Sequence, residues 1–331
     1  MSEQKKALIT GISGMDGSNL SKYLLSLGYK VFGTIRRHSV SEAQDLRICD
    51  QKNIETLYAD LTDKTSLERI LKISKPDEIY NLAAMSHVRV SFDVPDYTLQ
   101  VNTMGVLRLL DAYKEICPKA KFYQASSSEM FGSSVDSDMY QRETTHMTPV
   151  SAYGCSKLAA YHLVRNYRYA YNLFATNGIL FNHSGKGRGS NFVEQKIIKT
   201  MVLIKHGLAN KLELGNLKSS RDVGSSEDFV RAMHLILNYK EPSDWVIATG
   251  VTHSIEQFCE IVSQKIGIDY KKYLCYNPIH ERAQELPYLR GDATKAKNLL
   301  GWEPKVSLDE MIQSMIDGWE EKIKTGCLIS L

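Results

Sequence analysis

The chain has 331 residues, of which 43% are hydrophobic, and its 41 basic and 38 acidic residues leave a net charge of +3. This size and composition predict a globular protein with one large or two modest domains. The even spread of charge excludes an electrostatic surface for nucleic acid or for a membrane. The polar start and the lack of a run of about 18 apolar residues predict a soluble, unexported protein. Six scattered cysteines predict reduced thiols in a cytoplasm and no metal site.

Short β-rich runs alternate with helical patterns through the first 180 residues. We predict strands at Lys6–Thr10, Val31–Ile35, Thr56–Ala59, Glu78–Leu82, Lys121–Ala125 and Ala175–Leu180, and helices at Leu20–Leu27, Ser66–Ile73, Gly105–Glu115 and Ser156–Tyr169. Strands joined by helices form right-handed βαβ units. The predicted fold class is therefore α/β with a doubly wound parallel sheet. Beyond about residue 181 the pattern becomes irregular, and we expect a smaller, partly interleaved C-terminal substrate domain.

A glycine-rich turn connects the first strand to the first helix. Gly11, Gly14 and Gly17 are spaced three residues apart, with Met15 and Asp16 between the last two. Glycines at these positions permit a tight turn and a close approach to a pyrophosphate, and the helix N-terminus offers free N–H groups to the anion. The turn therefore predicts a dinucleotide site, and its GxxGxxG spacing is typical of the extended short-chain dehydrogenases.

The end of the second strand predicts which dinucleotide binds. An acidic residue there accepts the ribose hydroxyls of NAD, whereas an arginine pairs with the 2′-phosphate of NADP. Arg36 and Arg37 follow this strand without a carboxylate beside them, so we expect NADP, with NAD as the alternative. Asp60 and Leu61, after the third strand, are expected near the adenine. Asp60 can instead cap the helix that follows.

Two short stretches, Ser126–Glu129 and Tyr153–Lys157, carry several side chains that handle protons. Tyr153 and Lys157 are four residues apart and lie on one face of a helix, so the Lys157 ammonium is expected to lower the pKa of the Tyr153 phenol. Tyr153 can then remove a proton from a sugar hydroxyl during hydride transfer. Glu129 adds a second acid–base group, which predicts removal of a proton next to a new ketone and then elimination of water.

Six stretches together resemble the GDP-mannose 4,6-dehydratase family of extended short-chain dehydrogenases: SSSEMFG, SAYGCSK, IRRHS, NLAAMSHVRVSF, GRGSNFV and GNLKSSRDVG. The resemblance runs from about Lys6 to Pro304. It implies a Rossmann-type fold and a cytoplasmic hydro-lyase that recycles NADP. By resemblance, Tyr153 removes the C4 hydroxyl proton while the C4 hydride goes to NADP. Glu129 takes the C5 proton, water leaves from C6 with help from Ser127 and Glu129, and the hydride returns to C6, which gives a 4-keto-6-deoxy sugar nucleotide.

The resemblance also implies which residues serve each ligand. The catalytic set is Ser127, Glu129, Tyr153 and Lys157. The cofactor set is Gly11, Gly14, Met15, Asp16, Gly17, Arg36, Arg37, Asp60, Leu61, Leu82, Ala84, Ser86, Tyr153, Lys157 and His183. The substrate set is Ser86, Arg89, Ser127, Asn182, Asn191, Val193, Lys196, Arg221 and Arg282.

The resemblance further implies the division into domains and the assembly. Residues 1–180, with returning segments at about 216–255, are expected to form the NAD(P)-binding domain, and residues 181–331 mainly the sugar-nucleotide domain. We expect a homodimer through the helix that carries Tyr153 and Lys157, or a homotetramer that also uses the segment around Arg36–Ser41.

Several positions depart from the family pattern. Ser127 stands where threonine is usual, which keeps the hydroxyl. The loop Asn182–Gly189 lacks the usual Glu-Ser-Pro-Arg-Arg run, and Val223 replaces a typical tryptophan. These changes leave the sugar open: GDP-mannose comes first, and GDP-N-acetylglucosamine and GDP-manno-heptose are alternatives. A sugar-nucleotide epimerase or 4-dehydrogenase, in which Glu129 does not act, and a non-enzymatic NADP-binding protein are the competing hypotheses.

Overall fold

The structure is a computed structural model that describes residues 4–37 and 53–326. Its centre is a parallel sheet of seven strands, which are β1 Lys6–Thr10, β2 Lys30–Ile35, β3 Ile54–Tyr58, β4 Glu78–Asn81, β5 Lys121–Ser127, β6 Ala175–Leu180 and β10 Asp244–Ile247. Their order across the sheet is β10-β6-β5-β4-β1-β2-β3. The six strands predicted before residue 181 are confirmed to within two residues at either end, and residues 244–247 return to the same sheet.

Helices connect these strands and extend through the C-terminal part. They are α1 Met15–Ser26, α2 Lys64–Ser74, α3 Pro95–Leu99, α4 Gly105–Ile116, α5 Ala152–Ala170, α6 Val193–Lys205, α7 Ser226–Leu237, α8 Ile255–Ile266, α9 Thr294–Leu300 and α10 Leu308–Lys324. A π-helical turn, Gln100–Met104, joins α3 to α4. No helix in the described part of the chain is both long enough and apolar enough to cross a membrane.

The central sheet is covered on both faces. Leu8 and Ile79 point to a core that includes residues of α2, α4 and α5. Their neighbours Ile9 and Tyr80 point to the opposite core, with α1 and α7. Since a doubly covered sheet has no wet face, β4 and β6 are buried at every position. The α/β, doubly wound fold class is confirmed.

The start of two helices differs from the prediction. α1 begins at Met15 rather than Leu20, and α5 begins at Ala152 rather than Ser156. Gly17 and Gly154 lie in these first turns, and glycine weakens the helical signal of a sequence. As a consequence, the glycine-rich turn leads directly into the N-terminus of α1, and both Tyr153 and Lys157 belong to α5.

A second group of elements follows residue 181. The strands β7 Asn182–Ser184, β9 Ser220–Ser225, β11 Thr252–Ser254 and β13 Tyr288–Leu289 form one small sheet, and β8 Leu212–Leu214 pairs with β12 Leu274–Tyr276. α6, α8 and α10 contribute to a separate hydrophobic core. The sequence pattern is irregular here because short strands and charged turns separate the longer helices. Capping boxes at Ser254 and Ser307 begin α8 and α10 and satisfy their first N–H groups.

Candidate active site

The candidate site lies at the carboxyl ends of the parallel strands. The chain runs outward from β1 to β2 on one side and returns with β4 on the other, so a crevice opens between these strand ends. Two adjoining cavities of about 350 and 830 Å³ occupy this region. The residues that line both cavities are Asp16, Leu82, Ala84, Ser86, Arg188 and Phe192.

The glycine-rich turn lines the smaller cavity. Gly11 has a φ of +71°, and a Cβ added there would lie 3.0 Å from the Ala83 Cα atom. A Cβ added at Gly17 would lie 2.4 Å from the Gly11 carbonyl oxygen. Side chains therefore do not fit at either position, and the backbone stays open to a ligand at the N-terminus of α1. This shape and the free N–H groups fit the pyrophosphate of a dinucleotide.

Most of the predicted cofactor set lines the smaller cavity: Gly11, Gly14, Met15, Asp16, Gly17, Arg36, Asp60, Leu61, Leu82, Ala84 and Ser86. The two arginines after β2 are placed differently. Arg36 lies in the cavity wall and its Nη1 donates to the Tyr97 hydroxyl at 2.7 Å. Arg37 is exposed and lies outside the walls of both cavities. Most of the proposed tetramer segment, from residue 38 to residue 41, lies outside the described residues.

Asp60 holds a turn and does not cap α2. Its Oδ1 accepts hydrogen bonds from the backbone N–H and the hydroxyl of Thr62, both at 2.8 Å. The cap of α2 is Asp63, which accepts from the Thr65 N–H at 3.1 Å. Asp60 therefore keeps its place at the edge of the smaller cavity, where the adenine was expected.

Asp16 and His183 form a pair at the boundary between the two cavities. Asp16 Oδ2 lies 2.8 Å from His183 Nε2, and Asp16 Oδ1 accepts from the Ser226 hydroxyl at 2.7 Å. His183 Nδ1 lies 2.8 Å from the Phe181 carbonyl oxygen. Burial opposes ionisation of Asp16, but His183 and Ser226 outweigh it and lower the pKa of this carboxyl. His183 thus lines the larger cavity as a group whose orientation is held by Asp16.

The four predicted catalytic residues meet in one wall of the larger cavity. Ser127 ends β5, Glu129 lies in the 3-10 turn that follows, and Tyr153 and Lys157 are one turn apart on α5. Their exposed fractions are 8%, 6%, 9% and 4%. Lys157 Nζ donates to the Ala125 carbonyl oxygen at 2.8 Å and lies 5.8 Å from the Tyr153 ring centre. Folding therefore joins the two stretches into one site.

Burial dominates the ionisation of Tyr153 and Lys157. Burial raises the pKa of Tyr153 to about 12, and the Ser127 hydroxyl opposes this rise. Burial alone lowers the pKa of Lys157 to about 8. The expectation that Lys157 lowers the phenol pKa was therefore wrong for the protein by itself. The free-energy cost of removing the phenolate from water exceeds the stabilisation that the neighbouring groups provide.

Glu129 is held by an arginine through one of its two carboxylate oxygens. Arg282 Nη1 donates to Glu129 Oε1 at 3.1 Å. Glu129 Oε2 is buried and has no hydrogen-bond partner among the described residues. Burial lowers the pKa of Arg282, but the charges of Glu129 and Glu285, with a smaller contribution from Glu194, raise it overall. One carboxylate oxygen is thus paired, and the other is free to meet a substrate.

Arg221 and Arg282 share a second carboxylate. Glu285 Oε1 accepts from Arg221 Nη2 at 2.7 Å and lies 3.6 Å from Arg282 Nη1. Arg221 also donates to the Leu286 carbonyl oxygen at 2.8 Å and is only 5% exposed. Arg221 is therefore committed largely to contacts within the protein, whereas Arg282 also reaches the catalytic wall.

The other predicted substrate residues line the larger cavity as well: Ser86, Arg89, Asn182, Asn191, Val193 and Lys196. Arg89 Nη1 pairs with Asp93 at 2.7 Å. Lys196 Nζ lies 2.7 Å from His280 Nε2, and burial lowers the pKa of both groups. Because ammonium can only donate, His280 Nε2 is the acceptor of this hydrogen bond.

Sequence reasoning missed five charged residues of the larger cavity: Asp93, Arg188, Glu194, Lys199 and Glu285. Arg188 lies over the Phe192 ring, with its guanidinium carbon 3.5 Å from the ring centre. Its Nε is buried without a hydrogen-bond partner in the part of the chain that the structure describes. The glycines on either side of Arg188 were a usable signal for a ligand-facing loop. Glu285 carried no such signal, because its contacts depend on how distant segments pack.

A sequence profile of the GDP-mannose 4,6 dehydratase family matches residues 8–315. The chain belongs to the GDP-mannose 4,6-dehydratase family. One relative, GDP-mannose 4,6 dehydratase 2 of Arabidopsis thaliana, is 46% identical over 325 residues, which cover 95% of this chain and 86% of the relative. The human GDP-mannose 4,6 dehydratase is 43% identical over 346 residues, which cover 97% of this chain and 92% of the relative. The resemblance seen in the sequence is confirmed, and the chain is a member of a hydro-lyase family.

Solved structures with the same fold hold nicotinamide dinucleotides. The structure of RMD from Pseudomonas aeruginosa, complexed with NADPH, is 25% identical, with a TM-score of 0.80 over 96% of this chain and 98% of that chain. The UDP-glucose 4-epimerase of Thermus thermophilus, in complex with NAD, is 24% identical, with a TM-score of 0.84 over 95% of this chain and 99% of that chain. This chain therefore has the Rossmann-type NAD(P)-binding fold.

Proposed function

We propose that this chain is a 4,6-dehydratase that converts GDP-mannose to its 4-keto-6-deoxy derivative with NADP as the recycled cofactor. The observation that carries this proposal is the unpaired, buried Oε2 atom of Glu129 in the same cavity wall as Ser127, Tyr153 and Lys157. A carboxylate beside a tyrosine–lysine pair adds elimination to alcohol oxidation. The names of the relatives support the choice of GDP-mannose.

Tyr153 and Lys157 act at C4 of the sugar. NADP, held by the glycine-rich turn and by Lys157, would supply reversible hydride transfer at C4 and C6 when bound. Tyr153 accepts the proton of the C4 hydroxyl, and Ser127 donates a hydrogen bond that favours its phenolate. Lys157, fixed by its hydrogen bond to Ala125, holds the ribose hydroxyls next to the nicotinamide. Because the phenol pKa is about 12 in the protein alone, the bound ligands must complete the activation of Tyr153.

Glu129 acts at C5 and C6. The C4 ketone makes the C5 proton acidic, and the free Oε2 of Glu129 removes it. The same carboxyl then returns a proton to the C6 hydroxyl, which leaves as water and forms a C5–C6 double bond. Hydride addition at C6, and return to C5 of the proton that Tyr153 took from the C4 hydroxyl, would complete the reaction and restore both residues. Arg282, on the other oxygen, keeps the carboxylate oriented through both proton transfers.

The nucleotide half of the substrate lies along α6. Arg282 and Lys196 supply positive charge for the diphosphate, and both line the larger cavity. We propose that residues 1–180, with 216–255, bind the cofactor and that residues 181–331 mainly bind the sugar nucleotide. The position of Arg36 in the smaller cavity and the lack of a carboxylate after β2 support NADP over NAD.

The exposed end of α5 supports a proposal about assembly. Tyr169 and Tyr171 are 70% and 49% exposed at the end of the helix that carries the catalytic pair. Exposed aromatic side chains are enriched at protein interfaces. We therefore propose that α5 forms a homodimer seam. Replacing Tyr169 by Glu should shift the mass measured by light scattering toward the monomer, and an unchanged mass would contradict this proposal.

The function is tested by mass spectrometry of the purified protein with NADP and a panel of GDP-, UDP-, CDP- and dTDP-sugars. We expect loss of one water mass from GDP-mannose without net accumulation of reduced cofactor. Stoichiometric NADPH without loss of water would indicate a 4-dehydrogenase, and an isomer of unchanged mass would indicate an epimerase. Loss of water only from GDP-N-acetylglucosamine or GDP-manno-heptose would keep the reaction and replace the sugar.

A further inference from the structure

Glu194 is a buried carboxylate that the reaction does not use. It is the second residue of α6, it is 5% exposed, and it lines the larger cavity. Its carboxylate makes no hydrogen bond and no ion pair within 4 Å with the residues in 4–37 and 53–326. Its charge acts on Arg282, which already pairs with Glu129 and approaches Glu285.

The carboxylate of Glu194 is a hydrogen-bond acceptor that the described protein residues leave open. Neither of its oxygens is among the fully buried side-chain atoms that lack a partner, so both can be reached from the cavity that Glu194 lines. Its place in the first turn of α6, a helix of 13 residues, favours a negative charge. A ligand with hydrogen-bond donors can therefore bind to this carboxylate through the cavity.

The position of Glu194 indicates which part of a GDP-sugar it meets. Like charge excludes the diphosphate, which leaves the donors of the sugar, the ribose and the guanine. The residues just before Glu194 pack against the segment after β4: His87 Nε2 lies 3.2 Å from the Asn191 carbonyl oxygen, and the His87 and Phe192 rings lie 5.3 Å apart. Together with the link through Arg282 to Glu129, this contact places Glu194 at the catalytic end of the cavity.

Lys196 lies on a different side of α6. Two residues along a helix differ by about 200° in direction, and Lys196 meets His280 at the end of the cavity that Leu214 and Gly215 line. The two ends of the cavity therefore differ in charge. The cationic end can bind the negatively charged nucleotide, and a carboxylate at the catalytic end can accept hydrogen bonds from hydroxyl groups.

We propose that Glu194 accepts hydrogen bonds from the hexose hydroxyls that do not react, those at C2 and C3. This inference rests on the proposed function and extends it to recognition of the sugar ring. Glu194 then orients the ring so that C4 faces Tyr153 and C5 faces Glu129. The nucleotide, in contrast, is held without Glu194.

The test compares Glu194→Gln with Glu227→Gln. Glu227 is the matched control, because it is also the second residue of a helix, α7, but is exposed. Calorimetry with protein loaded with NADPH, which cannot accept the C4 hydride, measures binding of GDP-mannose and of GDP without turnover. For Glu194→Gln we expect about tenfold or greater loss of GDP-mannose affinity, typical of a lost hydrogen bond to a charged group, with GDP affinity unchanged. For Glu227→Gln both affinities should stay unchanged.

Two results would overturn the inference. An equal loss for GDP and GDP-mannose would place Glu194 at the nucleoside, and no loss for either would make it structural. The wild-type protein gives an independent check with GDP-2-deoxymannose and GDP-3-deoxymannose: at least one should bind about tenfold more weakly than GDP-mannose. If both bind equally well, the inference fails. Wild-type turnover is measured separately, so a protein that leaves GDP-mannose unreacted refutes the proposed function rather than this inference.

Discussion

Arg282 donates a hydrogen bond to one carboxylate oxygen of Glu129 at 3.1 Å, and the other oxygen is buried without a partner among the described residues. The two residues are 153 positions apart in the chain, and the arginine comes from the C-terminal part. The catalytic wall is therefore complete only when the C-terminal part folds over the ends of the central sheet.

Replacing Glu129 by Gln should remove the elimination step. The amide keeps the size of the side chain and its oxygen can still accept from Arg282, but it cannot take the C5 proton. We expect kcat to fall about 10²- to 10⁴-fold, with little change in GDP-mannose affinity, measured by steady-state kinetics and calorimetry. Single-turnover experiments should still show slow reduction of the cofactor. A variant that keeps most of its activity would mean that Glu129 does not act and would favour an epimerase.

Arg221 and Arg282 should differ in what their loss changes. Arg221→Gln leaves the buried contacts to Glu285 and Leu286 unsatisfied, so we expect the free energy of unfolding to fall by about 2 kcal/mol or more. Arg282→Gln should instead raise the Kd of GDP and GDP-mannose about tenfold and lower kcat. Denaturant unfolding and calorimetry on both variants separate these effects. Equal losses of stability in the two variants would contradict the assignment.

Lys157 should make stability depend on pH. Its folded pKa of about 8 lies below its unfolded value of about 10.4, so between these values the unfolded state binds more protons. The free energy of unfolding contributed by Lys157 therefore rises with pH across this window. Below about pH 8 the buried lysine costs the protein about 3 kcal/mol.

Lys157→Met tests this pH dependence. The variant should be more stable than the wild type near about pH 7, and its advantage should shrink as the pH approaches about 10. Denaturant unfolding at several pH values measures the difference, and the groups common to both proteins cancel. A constant difference would contradict the lowered pKa of Lys157.

The two arginines after β2 should contribute unequally to cofactor binding. Arg36→Ala should weaken NADP binding about tenfold or more, because the 2′-phosphate loses its charged partner, and should leave NAD binding unchanged. Arg37→Ala is the matched control and should leave both affinities within about twofold, since surface charges contribute little. Fluorescence titration with each dinucleotide measures these affinities. Equal loss of NADP and NAD affinity in Arg36→Ala would argue against a 2′-phosphate site.

The local patterns of the sequence were sufficient for the central fold. The strands around the glycine-rich turn could be predicted because a doubly covered parallel sheet requires apolar runs. The C-terminal helices could not, since short strands and charged turns interrupt the pattern between α6 and α10. The catalytic set could be identified from spacing and family resemblance, but Glu194 and Glu285 could not be selected from many similar charged residues.

By itself, the sequence determined the strands of the central sheet before residue 181, the glycine-rich turn after β1, and the four-residue spacing of Tyr153 and Lys157, because these depend on neighbours within a few residues. Only the tertiary structure decided which arginine lines the smaller cavity, which oxygen of Glu129 is free, and that burial raises the pKa of Tyr153 to about 12. Burial and long-range pairing come from segments far apart in the chain, and these two effects control the charge of each group in the site.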